Sequence, residues 1–181
     1  VGLDIAGHVI DTLYGALGER MARPAILEDL EALKLLGRKG GRGFYLYKPD
    51  GSRVSVKEGK AFRKKKVYVF NPDVLSAIAK RTGVNKKTEG EIQDRLFLAM
   101  VAEAARCMEE NVIDDPAQLD LAMIFGTGFP PHVGGVLKWA DSTGTKLVCQ
   151  KLEWLSKVAG ENYAPCELLR AKAATNEAFV G

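Results

Sequence analysis

The chain has no long apolar run, no paired cysteines, almost no histidine and no initiator methionine. No stretch approaches the ~20 consecutive apolar residues that cross a bilayer, so a membrane-spanning reading fails. The first residues, Val-Gly-Leu-Asp, carry neither the basic segment nor the apolar segment of a secretory signal. Cys107, Cys149 and Cys166 are widely spaced and odd in number, and none sits in a C-x-x-C pair or at zinc-ligand spacing from a histidine. Reduced core thiols in an intracellular setting are expected, with no metal site. His8 and His132 have no matching local acid motif and read as a helix-face residue and a packing or surface residue. No strand followed by G-x-G-x-x-G occurs either. Neither Gly40-Gly41-Arg42-Gly43 nor Gly126-Thr127-Gly128 completes that dinucleotide fingerprint, so no cofactor site is expected within the chain.

Charge of one sign is also in short supply, with a net +3 over 181 residues. Lys57, Lys60, Arg63, Lys64, Lys65 and Lys66 nevertheless concentrate positive charge in one run. A solvated linker over 57–66 is the simpler reading. A basic nucleic-acid-binding domain stays open as an alternative, although no groove-reading motif accompanies the run.

What is present is helical periodicity. Ile5, Val9, Leu13 and Leu17 predict a helix ending at Gly18, and Pro24 opens a second carrying Leu27, Leu30, Leu33 and Leu36 up to Gly37. Residues 44–47 and 53–56 then read as short β segments around the Pro49-Asp50-Gly51 turn. Asn71 caps and Pro72 opens a helix closing near Gly83. Thr88 and Glu91 have capping-box spacing, and the spacing of Ile92, Leu96, Met100, Ala104, Cys107 and Met108 predicts one face of a helix on the order of 30 Å long. Glu103 and Glu109 on that helix read as surface charge rather than a catalytic pair. After Asp115-Pro116, Leu119, Ala122 and Met123 are expected to face inward. A corner follows at 128–135, where Gly128, Phe129, Pro130, Pro131, Gly134 and Gly135 combine fixed φ with backbone freedom and position Val136, Leu137 and Trp139 for packing. From Ser142 another helix with Leu147, Leu152 and Leu155 inward closes at Gly160, and Pro165 opens the last.

The two ends also match each other. Gly2, Leu13, Gly18, Glu19 and Leu27 recur as Gly144, Leu155, Gly160, Glu161 and Leu169, an offset of 142 (160 − 18) without a gap. Residues 1–56 are therefore expected to be a partial first helical repeat plus hairpin, 57–66 a linker, and 67–181 a second repeat. With no counterpart of residues 88–143 ahead of the first copy, the chain is expected to begin in mid-repeat and to expose an apolar helical face that self-association or another part of the protein covers.

The segments GLDIAGHV, LGRKGGRGFYLY, EAARCMEENVIDDPAQLDLAMIFGTGFPPHVGGVLKWAD and YAPCELL resemble the C-terminal part of the 3-hydroxyacyl-CoA dehydrogenases, especially those of the multifunctional fatty-acid oxidation type. The likeness runs from Gly2 to about Asn176, and its motifs include Gly41, Gly43 and Phe44 in the first element and the 128–135 corner in the second. It implies a mainly α, C-terminal-domain-like bundle of two related repeats with a small β-hairpin after the first. The resemblance further implies a longer parent in which an enoyl-CoA hydratase region and an NAD-binding Rossmann domain precede these helices. In such proteins a His and a Glu of the Rossmann domain remove the proton while hydride passes to NAD, so no residue here inherits a catalytic role. His132 departs from the family pattern, which argues against a shared role for it. Arg38 and Lys39, a basic pair before a glycine-rich turn, are candidates for the CoA phosphates, with a solvated turn as the competing reading. The implied role is domain packing, oligomerisation and part of the acyl-CoA cleft, the chain alone being inactive. Implied partners are the protein's own Rossmann domain, a thiolase subunit and acyl-CoA. The implied compartment is the cytoplasm of a bacterium or the mitochondrial matrix of a eukaryote. A stand-alone helical interaction module is the alternative.

Overall fold

The structure, a computed structural model, describes residues 2–59, 65–82 and 86–180. The helix end expected at Gly83, the expected start at Val1, and Lys60, Arg63 and Lys64 of the basic run lie outside the described residues. Two compact units result, Val1–Lys86 and Lys87–Gly181. The break thus falls at 86/87 and not in 57–66. The described ends of that basic segment are strand, with Lys57 paired to Lys66, and the chain returns through residues 65–70 to the same unit.

In the first unit α1 (Leu3–Leu17) runs from Gly2 to Gly18, whose φ of 60° ends the helix. The second helix, α2 (Ile26–Ala32), is shorter than its leucine spacing predicts. Lys34 adopts φ 53°, and the N–H groups of Lys34 and Leu35 donate back to the Glu31 and Leu30 carbonyls. That left-handed closure swings Leu35 into the core and leaves Leu33 exposed. Arg23 clamps α1 to α2, donating to both Asp11 carboxylate oxygens at 2.6 and 2.7 Å and to Glu31 at 2.5 Å. The Pro49-Asp50-Gly51 turn forms, with Tyr47 bridging Arg53, but the regular ladder lies further on, between β1 (Ser55–Glu58) and β2 (Lys65–Tyr68), antiparallel. Asn71 caps α3 (Pro72–Thr82) through the Asp73 N–H at 3.0 Å. Leu27, Leu30, Leu35 and Val74 form the small core.

The second unit contains five helices among the described residues. The first, α4 (Glu89–Glu109), starts with the complete Thr88–Glu91 capping box. Its buried face is Leu98, Val101, Ala102 and Ala105, whereas Ile92 and Leu96 of the expected stripe are exposed. Ala104 of that stripe is buried, so the core face is rotated from the expected one and shares only its middle, with Leu98 and Val101 filling it between the alanines. After it come α5 (Pro116–Thr127), α6 (Val136–Thr143), α7 (Thr145–Ala159) and α8 (Glu167–Thr175). Leu119 is buried and Met123 half-buried as expected, but Ala122 is exposed. Ser142 belongs to α6, Gly144 divides it from α7, and Leu147 is exposed while Val148, Cys149, Leu152 and Leu155 are buried.

The repeat reappears in the elements themselves. Shifted by 142 (145 − 3), α1 coincides with α7 at both ends. The 3₁₀ turns Gly18–Met21 and Glu161–Tyr163 correspond, and α2 falls within α8. Burial differs between the copies. Leu152 and Leu155 are 0% and 3% exposed, whereas their counterparts Ile10 and Leu13 are only half-buried, and Val9 and Leu17 are exposed. Within its own unit α1 packs on the 3₁₀ turn that follows it and on α2, while α7 packs on α4, α6 and α8.

Candidate functional site

The 128–135 corner is organised by a residue that periodicity does not single out, Asp120. It is the only charged side chain in α5, and it is 3% exposed. Its Oδ1 accepts from the Leu137 N–H at 2.7 Å and its Oδ2 from the Lys138 N–H at 2.9 Å, so it caps the N-terminus of α6 from the neighbouring helix. Burial pushes the Asp120 carboxyl above its ordinary value, against the pull of those backbone donors, and the charge of Asp141 adds to the rise. With both oxygens occupied by main-chain donors, Asp120 holds a loop and does not present itself as an acid or base to a ligand. An isolated acid in an apolar helix ahead of paired glycines was the signal that would have found it.

Around that contact each motif residue has a mechanical reason. Gly128, at φ 75°, ends α5. Phe129 is buried against Phe97 with centroids 5.1 Å apart, and Phe97 meets Trp139 edge-on at 5.0 Å. Pro130 and Pro131 lead into the Pro131–Val133 3₁₀ turn, and Gly134 and Gly135 follow at φ 86° and 122°. Val136 and Leu137 are fully buried, as the corner reading requires, and His132 is exposed.

Two more polar groups brace this unit. Arg106 is 8% exposed, and its guanidinium donates to the Ala164 carbonyl at 2.5 Å, to Asn162 and Glu161 at 3.4 and 3.5 Å, and to Glu103 at 3.2 Å. It thereby fixes the turn between α7 and α8. Glu109, expected as free surface charge, accepts from the Leu168 N–H at 2.7 Å and caps α8. Spacing along one helix could not show this, because the donor lies 59 residues away.

In the first unit Arg38 and Lys39 lie in a 3₁₀ turn, Arg38–Gly40, closed by Gly41 at φ 72°. They line a shallow depression with Gly2, Pro49, Asp50 and Gly51. The Lys39 ammonium is paired with Asp4, and that hydrogen bond holds the Asp4 carboxyl below its usual range. Arg38 lies over the Asp50-Gly51 turn, its Nε 2.6 Å from where a Cβ on Gly51 would stand. A Cβ on Gly43 would lie 2.6 Å from the Gly37 Cα, so that glycine permits two backbone segments to touch. The buried Asn71 donates to the Gly43 carbonyl at 3.0 Å and completes the junction, and Phe44 is 37% exposed. His8 is exposed on α1.

The family model described as 3-hydroxyacyl-CoA dehydrogenase, C-terminal domain, matches residues 1–47 and 90–178. A relative named fatty acid oxidation complex subunit alpha, from Shewanella amazonensis, is 37% identical over 179 residues, 99% of this chain and 23% of the relative. The protein of the same name from Vibrio parahaemolyticus is 32% identical with the same coverage. The chain thus spans about 23% of the length of the curated relatives it matches. Among solved structures, 3-hydroxybutyryl-CoA dehydrogenase from Escherichia coli K12 superposes with a TM-score of 0.65 at 17% identity, covering 97% of this chain and 49% of that one. The dehydrogenase part of a multifunctional enzyme 1 from C. elegans gives 0.57 at 21% identity, covering 94% and 36%. Both likenesses bear on the fold alone.

Proposed function

Because the chain belongs to the family of 3-hydroxyacyl-CoA dehydrogenase C-terminal domains, we propose that it serves a longer fatty-acid oxidation protein as the helical part against which a nucleotide-binding domain closes. In that parent, an L-3-hydroxyacyl-CoA is oxidised by hydride transfer to NAD, and this chain contributes packing, assembly and one wall of the acyl-CoA cleft. The observation that carries the proposal is the uneven burial of the repeat. In α7 the residues Leu152 and Leu155 are covered, while α1 leaves Val9 and Leu17 exposed and Ile10 and Leu13 half-covered. An apolar face of that kind fits a helix with a packing partner elsewhere in the protein.

NAD, a thiolase subunit as partner and a cytoplasmic setting in a bacterium belong to the same proposal; the last is supported by the bacterial relatives. We assign the partial first repeat to α1 and α2 and the second repeat to residues 87–181. Of the two basic residues offered to the CoA phosphates, Arg38 is the more available, since Lys39 is engaged by Asp4.

The test compares the chain alone with the protein of its complete reading frame, assayed for NAD reduction with a 3-hydroxyacyl-CoA. Turnover is expected only in the longer protein. Turnover by the purified chain at the same rate would overturn the proposal.

A further inference from the structure

One face of the β1–β2 hairpin is made of cations and rings. Lys57 and Lys66 stand directly opposite each other, an arrangement in which like charges weaken a strand pair. Tyr68, opposite Ser55, shares the face of Lys57 and Lys66, and Arg53, which bridges Tyr47 just ahead of β1, lies over the Tyr68 ring. The Arg53 guanidinium carbon is 3.9 Å from the Tyr68 ring centroid and 5.1 Å from that of Tyr45, and the Lys66 ammonium is 5.3 Å from Tyr68. Tyr45 meets Phe70 at 4.8 Å, and Phe70 is 50% exposed. No ion pair joins Arg53, Lys57 or Lys66 to a carboxylate among the described residues. Glu58 stands opposite Lys65 on the other face. The family match stops at residue 47 and resumes at 90, so domain membership does not account for these cations.

Unpaired cations interleaved with an open ring suit a ligand that is both multiply anionic and planar. Phosphate oxygens relieve the Lys57–Lys66 repulsion, and a base can lie on the free face of Phe70. We propose that this hairpin face binds a phosphorylated nucleoside, its phosphates against Arg53, Lys57 and Lys66 and its base against Phe70. That the nucleotide is the adenosine end of CoA rests on the function proposed above; the nucleotide site itself does not.

Adenosine 3′,5′-bisphosphate titrated into the ¹⁵N-labelled full chain tests this by NMR. Shifts confined to residues 45–58 and 65–70 are expected, with affinity falling as salt is added. Lys57→Glu places a carboxylate opposite Lys66, which favours the hairpin while weakening binding about tenfold. Phe70→Leu should weaken the bisphosphate but not inorganic phosphate. CoA binding as well as the bisphosphate supports the site and identifies its source. Bisphosphate binding with CoA silent supports the site and removes that source. The proposal is overturned by any of three results: no localised shifts at millimolar ligand, a Lys57→Glu chain that binds like the wild type, or a single-stranded oligonucleotide that binds more tightly than the bisphosphate. None of these readouts uses dehydrogenase activity, so they stand or fall separately from the proposed enzyme.

Discussion

A Cβ at position 135 would lie 2.2 Å from the Cγ of Asp120, so the glycine and the buried carboxylate fit only as a pair. The backbone at Gly135 has φ 122°, a conformation that L side chains rarely adopt. Steric and conformational costs therefore act together at one residue. Gly135→Ala should destabilise the chain by about 3 kcal/mol or more, because Asp120 must leave the α6 amides to make room. Urea unfolding followed by tryptophan fluorescence checks this, since Trp139 and Trp154 both lie in the second unit. An unchanged midpoint would show that the corner does not depend on the contact.

Asp120 also predicts a pH dependence of definite sign. Burial raises its folded-state value above the ordinary one. Any stability from such a group is fully present below the unfolded value and is lost as pH rises through the folded value. Asp120→Asn keeps an oxygen acceptor without the charge, so its stability relative to wild type should improve as pH rises from about 4 toward neutrality. Asp120→Ala leaves the Leu137 and Lys138 amides without an acceptor and should cost about 2 kcal/mol near pH 4, more than Asn does, with the cost shrinking by the same linkage as pH rises. Denaturant midpoints measured across that range distinguish the two; an Asn variant that loses ground with rising pH would contradict the burial argument.

Most helices and their ends were legible in the sequence because caps, prolines and glycines act locally. Thr88 with Glu91, Asp115 with Pro116, and Gly18 with Gly160 each delimit a helix in the structure. The buried faces were less legible. Ile92, Leu96 and Leu147 have the spacing of core residues but are exposed, while Leu98, Val101, Ala102 and Ala105 are fully buried. The polar contacts that fix the corner and the turns were not legible at all. Asp120 to Leu137, Glu109 to Leu168 and Arg106 to Ala164 join residues 17, 59 and 58 apart, and no period along one element encodes them.

Arg106 gives a test of those distant contacts. Its guanidinium reaches three carbonyls of the turn between α7 and α8, which a lysine ammonium cannot do from one position. Arg106→Ala should cost about 3 kcal/mol, and Arg106→Lys should recover less than half of it. Hydrogen exchange of the amides at 161–164 supplies the local readout. Protection there that survives Arg106→Ala would assign the turn to its own 3₁₀ geometry instead.

Repeat-related positions in α1 and α7 supply the sharpest test of the packing argument, since the two helices coincide at the 142-residue offset and differ in what covers them. Leu152 is fully buried, and Leu152→Ala should cost about 2–5 kcal/mol. Ile10 occupies the corresponding place in α1 but is only half-buried. Ile10→Ala should cost less than about 1.5 kcal/mol in this chain, measured by hydrogen exchange within α1, because little surrounding structure is left with a cavity. In the protein of the complete reading frame the two costs should converge if a neighbouring domain covers α1. Equal costs already present in the isolated chain would mean that α1 is fully packed as it stands, and the exposed face would no longer point to a partner.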